Sequence, residues 1–295
     1  MTDPYLYNGQ RPDDHVASCP DCSAAITLAD RPGLDSGLPP PPTLREAVLS
    51  MARRIRGPAS SAAAAVAVPY AEQVALMDEL LGELSERQWD APVVRHGTVR
   101  ALVEHLTGND ALVATFMGVP ATAGAPMRRR WRQQAGSLLQ QVSGSTDVLL
   151  GTELRLAGTR PARGSLRHAM IQRTFETWTH ADDIRAVTDR PAAVPRDEHV
   201  RMIAEFGLAL LPRAVGGPRR DVSATVVLTG PGGGTWTVPL SPSSDHVAVL
   251  LSADAVAFCR LMAGRRPPDS FPYAAEGDPA LARELVRAAA TLGCD

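Results

Sequence analysis

The sequence predicts a mainly α protein ending in an α+β domain: a helical bundle, then a small sheet-and-helix unit, with a short Cys/His element ahead of both. Three observations predict it. Apolar residues recur at spacings of three and four in successive segments from Pro69 to Leu211, the period of helices with one buried face. After Gly216-Gly217 the pattern turns β-branched and glycine-punctuated, which reads as strands and turns. His15, Cys19 and Cys22 cluster ahead of a proline run, apart from either pattern.

Residues 1–36 hold the Cys/His element, and residues 37–68 a Pro-rich spacer, a helix and a linker. Leu38-Pro39-Pro40-Pro41-Pro42 is stiff and extended. Thr43-Leu44-Arg45-Glu46 is a capping box opening a helix that continues to Arg56. Gly57-Pro58-Ala59-Ser60-Ser61 and the alanines after it read as a flexible linker.

The bundle is expected over residues 69–215. Its first helix opens at Pro69, carries Val74, Met77, Leu80, Leu81 and Leu84, and closes near Ser85. Thr98 caps a second, with Val99, Leu102, His105, Leu106 and Leu112 on its stripe, ending near Gly118-Val119-Pro120. A third begins after Pro126 and carries Trp131, Leu138, Leu139 and Val142. The fourth spans 165–188, with Pro191 beyond its end. A fifth spans 196–211 through Val200, Ile203, Phe206 and Leu210, with Gly207 weakening its propensity.

Residues 216–295 form the α+β domain. Strands over 222–228 and 235–238 face each other across Gly230-Pro231-Gly232-Gly233-Gly234, and a third covers 247–251. Helices follow over 254–262 and 279–292. The glycine run lacks Gly-Lys-Ser/Thr and no helix follows it, so it reads as a turn rather than a phosphate loop.

Composition narrows the function classes. A net charge of −2 and 4% aromatic residues give no drive toward nucleic acid or anionic lipid. No apolar run reaches the roughly 18–20 residues of a membrane helix. Met1-Thr2-Asp3-Pro4-Tyr5 lacks the regions of a signal peptide. A cytoplasmic protein with reduced cysteines is expected.

Glu176 and His180 stand four apart, one turn along one helix face, where both reach one ion. His105 lies in a comparable apolar setting upstream. Two imidazoles and a carboxylate with a position left open suit a zinc that works on a ligand. In the front element, His15-x3-Cys19-x2-Cys22 supplies three ligands of a tetrahedral zinc. Its fourth comes from Asp13, Asp14 or elsewhere; the alternative is a metal-free remnant, and a redox pair lacks its βαβ setting. Asp182 and Asp183 flank the metal helix, where they either orient a ligand histidine or face solvent. Cys259 reads as a buried small residue, and 128–132 (Arg-Arg-Arg-Trp-Arg) as a solvated helix face. His96, His168, His199 and His246 carry no motif.

These residues carry a resemblance. LVEHLTG around His105, RTFETWTHADDIRAV around Glu176 and His180, and LTGPGGGTWTV, CRLMAGRRP and AAEGDPAL downstream resemble the mycothiol-dependent maleylpyruvate isomerases, a branch of the DinB-like four-helix metalloproteins. The likeness covers 69–292. It implies a four-helix bundle with His105, Glu176 and His180 on zinc or another divalent metal, and mycothiol held there as thiolate. The thiolate adds to an unsaturated acid and leaves after bond rotation. Arg260, Arg265 or Arg266 would meet the acid's carboxylates. His96-Gly97-Thr98 stands where the family often has Gly-Trp-Thr, a difference in the pocket wall. The front end resembles zinc-binding anti-sigma domains of actinobacterial regulators, with the preceding helix truncated and its extra ligand missing.

The combination points to an anti-sigma-type regulator, its front end on an extracytoplasmic-function sigma factor and its bundle sensing a thiol or small ligand. The alternative is a mycothiol-dependent isomerase or thiol S-transferase. A metal-binding scaffold without catalysis is the third reading.

Overall fold

The computed structural model describes Ser23 and residues 65–158, 162–216, 220–243 and 246–293. The front-end features expected from the sequence (His15, Cys19, Cys22, the proline spacer and the helix over 43–56) lie outside the described residues.

Helix α1 (Val68–Gly82) starts with Pro69 in its first turn and buries Tyr70, Val74, Met77, Leu80 and Leu81. Ser85 and Gln88 form a capping box that opens the short α2 (Glu86–Trp89). β1 (Pro92–Val93) and β2 (Gly97–Thr98) pair antiparallel, with Arg95 at φ 72° in the turn. Thr98 Oγ1 then accepts the Ala101 amide at 3.2 Å and opens α3 (Val99–Phe116). Leu112 departs from the expected stripe and is 49% exposed. Six residues past Leu106 lies about 120° round the helix, so Val113 is buried in its place.

Helix α4 (Met127–Ser143) buries Trp131, Leu138, Leu139 and Val142. Its arginines are clamped to neighbouring helices, Arg128 to Asp78 at 2.7 Å and Arg130 to Glu104 at 3.2 Å. After α5 (Asp147–Gly151), β3 (Glu153–Arg155) and β4 (Arg163–Ser165) form a second small hairpin. Ser165 Oγ accepts the His168 amide at 3.2 Å and opens α6 (Leu166–Val187). α1 packs against α4 and α6, and α3 against the same two, closing a four-helix ring.

Helix α7 (Asp197–Ala214) leads to β5 (Val222–Thr229), β6 (Gly234–Pro239) and β7 (His246–Asp254). Helix α8 (Ala255–Met262), β8 (Ala274–Gly277) and α9 (Pro279–Ala289) complete the unit. The sheet order is β6-β5-β7-β8, with β5 and β7 parallel and both outer strands antiparallel to their neighbours. Asp254 and Asp278 cap α8 and α9. No described helix is long and apolar enough to cross a membrane.

Helix α6 is buried nearly all round. Leu166, Met170, Ala181 and Ile184 face the bundle core, while Phe175 and Trp178 enter the core of the sheet unit. Three buried threonines on it, Thr174, Thr177 and Thr179, donate to the carbonyls of Met170, Arg173 and Phe175 at 3.1, 2.8 and 3.0 Å. Their hydroxyls are thus satisfied within the helix itself. Helix α7 also serves both cores, with Phe206 toward the bundle and Val200, Ile203, Ala204 and Leu211 toward the sheet unit.

Two glycines are explained by close approach. The run over 230–234 is a turn, and a Cβ on Gly232 (φ 72°) would lie 2.7 Å from the Asp197 carbonyl and the Arg201 amide, at the start of α7. A Cβ on Gly207 would lie 1.9 Å from Met262 Sδ, a fully enclosed neighbour. Gly207→Ala gains helix propensity of about 1 kcal/mol yet must displace Met262. We expect a net loss of about 1–3 kcal/mol in chemical denaturation, and a smaller cost for Met262→Ala in that background than alone.

Candidate metal centre

Along α6, His168, Gln172, Glu176 and His180 follow each other at intervals of four, one stripe of the helix. On α3, His105 and Asn109 are related in the same way. The β1–β2 turn delivers His96 just ahead of the Thr98 cap. These elements bring His96, His105 and His180 together, with one ligand atom from each lying within 4.8 Å of the others. Ring centroids are 4.7 Å apart for His96–His105, 4.8 Å for His96–His180 and 5.3 Å for His105–His180, the last two edge-on. His180 is 1% exposed, whereas His96 and His105 are half-buried, and Nε2 of both His96 and His180 is screened from solvent.

Tetrahedral Zn–N bonds of about 2.1 Å place donor atoms about 3.4 Å apart. Side-chain rotations of roughly an ångström therefore bring these three onto one ion. Imidazole nitrogen is a suitable donor for zinc and its first-row neighbours. Three protein ligands with one position left match a centre that binds a further ligand.

His180 is held from behind. Its Nδ1 lies 3.0 Å from Asp183 Oδ2, so the Nδ1–H tautomer donates to the carboxylate and turns Nε2 outward. Arg265, from the segment after α8, reaches the same carboxylate with Nη2 at 2.5 Å and Nε at 3.2 Å. Burial works against charge on Asp183, but hydrogen bonds from His180 and Arg265 and the arginine's charge outweigh it, holding the carboxyl below its ordinary range.

His105 is held through Asn109, whose Nδ2 lies 3.0 Å from His105 Nε2 and 2.8 Å from Glu176 Oε2. Glu176 Oε1 accepts from Arg173 Nη2 at 2.7 Å. Behind them, Tyr70 donates to Asp110 Oδ2 at 2.7 Å, and Asp110 Oδ1 stands 3.9 Å from Arg173 Nη1, too far for a hydrogen bond. Burial pushes the Asp110 carboxyl up to about 7, against the opposing pull of Arg173 and Tyr70. Burial, reinforced by Asp110, also pushes the Tyr70 hydroxyl well above its usual range.

The structure thus joins two of the three sequence-expected ligands, His105 and His180, and adds His96, to which the sequence reading assigned nothing. Glu176 stands one step back, engaged by Arg173 and Asn109. Of the arginines expected to meet a substrate's carboxylates, Arg265 sits on Asp183. Arg260 donates to Asp182 Oδ2 at 2.8 Å and lies over the Trp178 ring at 5.7 Å. Arg266 is exposed. Of the flanking carboxylates, Asp183 orients a histidine while Asp182 takes Arg260 and the Ala193 amide. Cys259 is fully buried with its thiol pushed up by desolvation, as a core residue. The available signal for His96 was its place two residues before the Thr98 helix cap.

No known family's model matches the sequence, and no curated protein matches it. Among solved structures, mycothiol-dependent maleylpyruvate isomerase is similar, with a TM-score of 0.48 and 14% identity over 72% of this chain and 92% of that one. A mutant of that isomerase with one histidine changed to alanine gives 0.48 and 14% over 71% and 91%.

Two outcomes are expected of this network. The folded chain keeps the Asp110 proton to about pH 7, while the unfolded chain releases it near about pH 3.9. Stability therefore falls as pH rises through that window. Asp110→Asn removes this loss, so relative to wild type it gains about 1–3 kcal/mol between about pH 4 and pH 7 in urea unfolding; a constant difference would exclude the assignment. Asp183→Asn weakens metal binding at the imidazole group by about 10–100-fold, measured by chelator competition in a Cys19→Ser/Cys22→Ser background. Unchanged affinity would dismiss the orienting role.

Proposed function

We propose that the protein is a metal-dependent enzyme that activates a small thiol on a zinc ion held by His96, His105 and His180. The observation that carries this reading is the convergence of the three imidazoles, two of them half-buried, with Asp183 fixing the tautomer of the most buried one. Mycothiol is the thiol that the sequence resemblance implies, and the reaction is cis–trans isomerisation of an unsaturated acid or transfer of the thiol to an electrophile. Zinc would supply the Lewis acidity that keeps a bound thiol as thiolate at neutral pH.

The chain's own residues do the rest. Asp183 and Arg265 hold His180 in one tautomer and rotamer, so its donor atom needs no reorganisation on binding. Half-buried His96 and His105 are the more exposed members of the group, the side by which a thiol would enter. The neighbouring charges, Arg265 with Asp183 and Arg260 with Asp182, are paired at the seam with the sheet unit and brace the metal helix rather than greeting substrate.

The regulatory reading rests on His15, Cys19 and Cys22, which lie outside the described residues, and the described geometry favours the enzyme. His180→Ala is expected to lower zinc content by about one equivalent relative to wild type. In the cobalt-substituted protein, added mycothiol should produce thiolate-to-cobalt charge-transfer absorption, lost in His96→Ala. A cobalt spectrum indifferent to thiol would refute thiol activation, and zinc retained in His180→Ala would refute the ligand set.

A further inference from the structure

A cavity of 760 Å³ lies where the β3–β4 hairpin, the end of α7, the end of α8 and the chain after α9 meet. Its floor is apolar: Leu156, Phe206 and Met262 are buried, and half-buried Leu210 and Leu292 continue it. Its rim is cationic, formed by exposed Arg95, Arg163 and Arg213. Among the described lining residues the acid is Glu153, 3.5 Å from Arg163, so three guanidinium groups stand with one carboxylate there. Arg95 reaches across the mouth to the sheet unit: a Cβ on Gly264 would lie 3.1 Å from its Nη1.

We infer that this cavity binds an anionic amphiphile, a carboxylic acid with an extended apolar body, its tail on the Leu156–Phe206–Met262 floor and its carboxylate at the arginine rim. The volume lies in the range of about 300–1,000 Å³ that holds drug-sized molecules, more than a short diacid fills. A diacid would also have to strip water from a second charge against the apolar floor without a partner there. An apolar chain gains from that floor, and guanidinium groups match a carboxylate's two oxygens. The cavity adjoins the metal centre along the chain, since Arg95 precedes His96 and Gly264 precedes Arg265. The inference nevertheless stands on the cavity alone and does not require metal.

The test uses the full chain, both metal-stripped and zinc-loaded, with anilinonaphthalene sulfonate fluorescence as the reporter. Dodecanoate is expected to displace the dye at concentrations about tenfold below those needed for dodecanol or succinate, in both forms of the protein. Arg163→Gln/Arg213→Gln should raise the dodecanoate requirement about tenfold while leaving dodecanol unchanged. Ala290→Trp, which fills the cavity from its half-buried wall, should weaken dodecanoate and dodecanol alike. Thermal unfolding close to wild type establishes that each variant is folded. Equal displacement by acid and alcohol, no displacement, or wild-type affinity in the folded variants would overturn the inference. Because the metal-stripped protein is included, such a failure is separate from any failure of the zinc assignment.

Discussion

Arg173 lies at the centre of the bundle with no exposure to water, and meeting its charge constrains everything around it. A buried guanidinium without a partner costs far more than any packing gain at one position. Glu176 answers it directly and Asp110 at longer range. That requirement places two acids beside one base in the core, where burial raises the Asp110 carboxyl against the pull of Arg173 and Tyr70. The same requirement fixes the rotation of α6, because Arg173 must face α3 and α1, where Asp110 and Tyr70 stand. Once that rotation is set, His180 is delivered to the rim of the bundle beside His105.

The far side of α6 is held by the sheet unit. Asp182 and Asp183 project from it to Arg260 and Arg265, while Phe175 and Trp178 anchor in the second core. These ion pairs are partly shielded, so they are stronger than surface pairs of the same length. Their consequence is positional. The residue that orients His180 is itself oriented by the sheet unit, which ties the metal helix to the second module at the position where chemistry would occur.

Much of this was legible in the sequence, and the exceptions have physical causes. The long helices, their Thr98 and Ser165 caps and the β5–β6 hairpin follow from period and local hydrogen bonding, which act over a few residues. His105 and His180 stood out because polar residues on an apolar stripe demand a reason. His96 did not, because its position depends on a short hairpin whose three-residue turn needs Arg95 at positive φ, a conformation that no pattern of hydrophobicity announces. Glu176, Arg260 and Arg265 were legible as functional charges, but not which charge each would meet. That choice depends on contacts between residues up to 82 positions apart. Gly207 weakened a helix prediction for a local reason and is retained for a non-local one, the approach of Met262.

The contacts of Asn109 show how Glu176 relates to the imidazoles. A neutral imidazole has one donor and one acceptor nitrogen. With the Asn109 amide group pointing at both His105 Nε2 and Glu176 Oε2, Nε2 is the acceptor and the proton sits on Nδ1. If a metal takes Nδ1, that proton must move to Nε2, and Asn109 must turn its oxygen toward it. If a metal takes Nε2, it competes with Asn109 for the same lone pair. In the first case Glu176 Oε2 loses that donor, in the second Asn109 can keep an N–H on it, and in both Arg173 retains Oε1. In the first case a carboxylate with one oxygen anchored and the other released would stand one helical turn from His180, free to turn toward the ion. The tautomer of His105 and the hydrogen bonding of Glu176 are thus linked through one amide group.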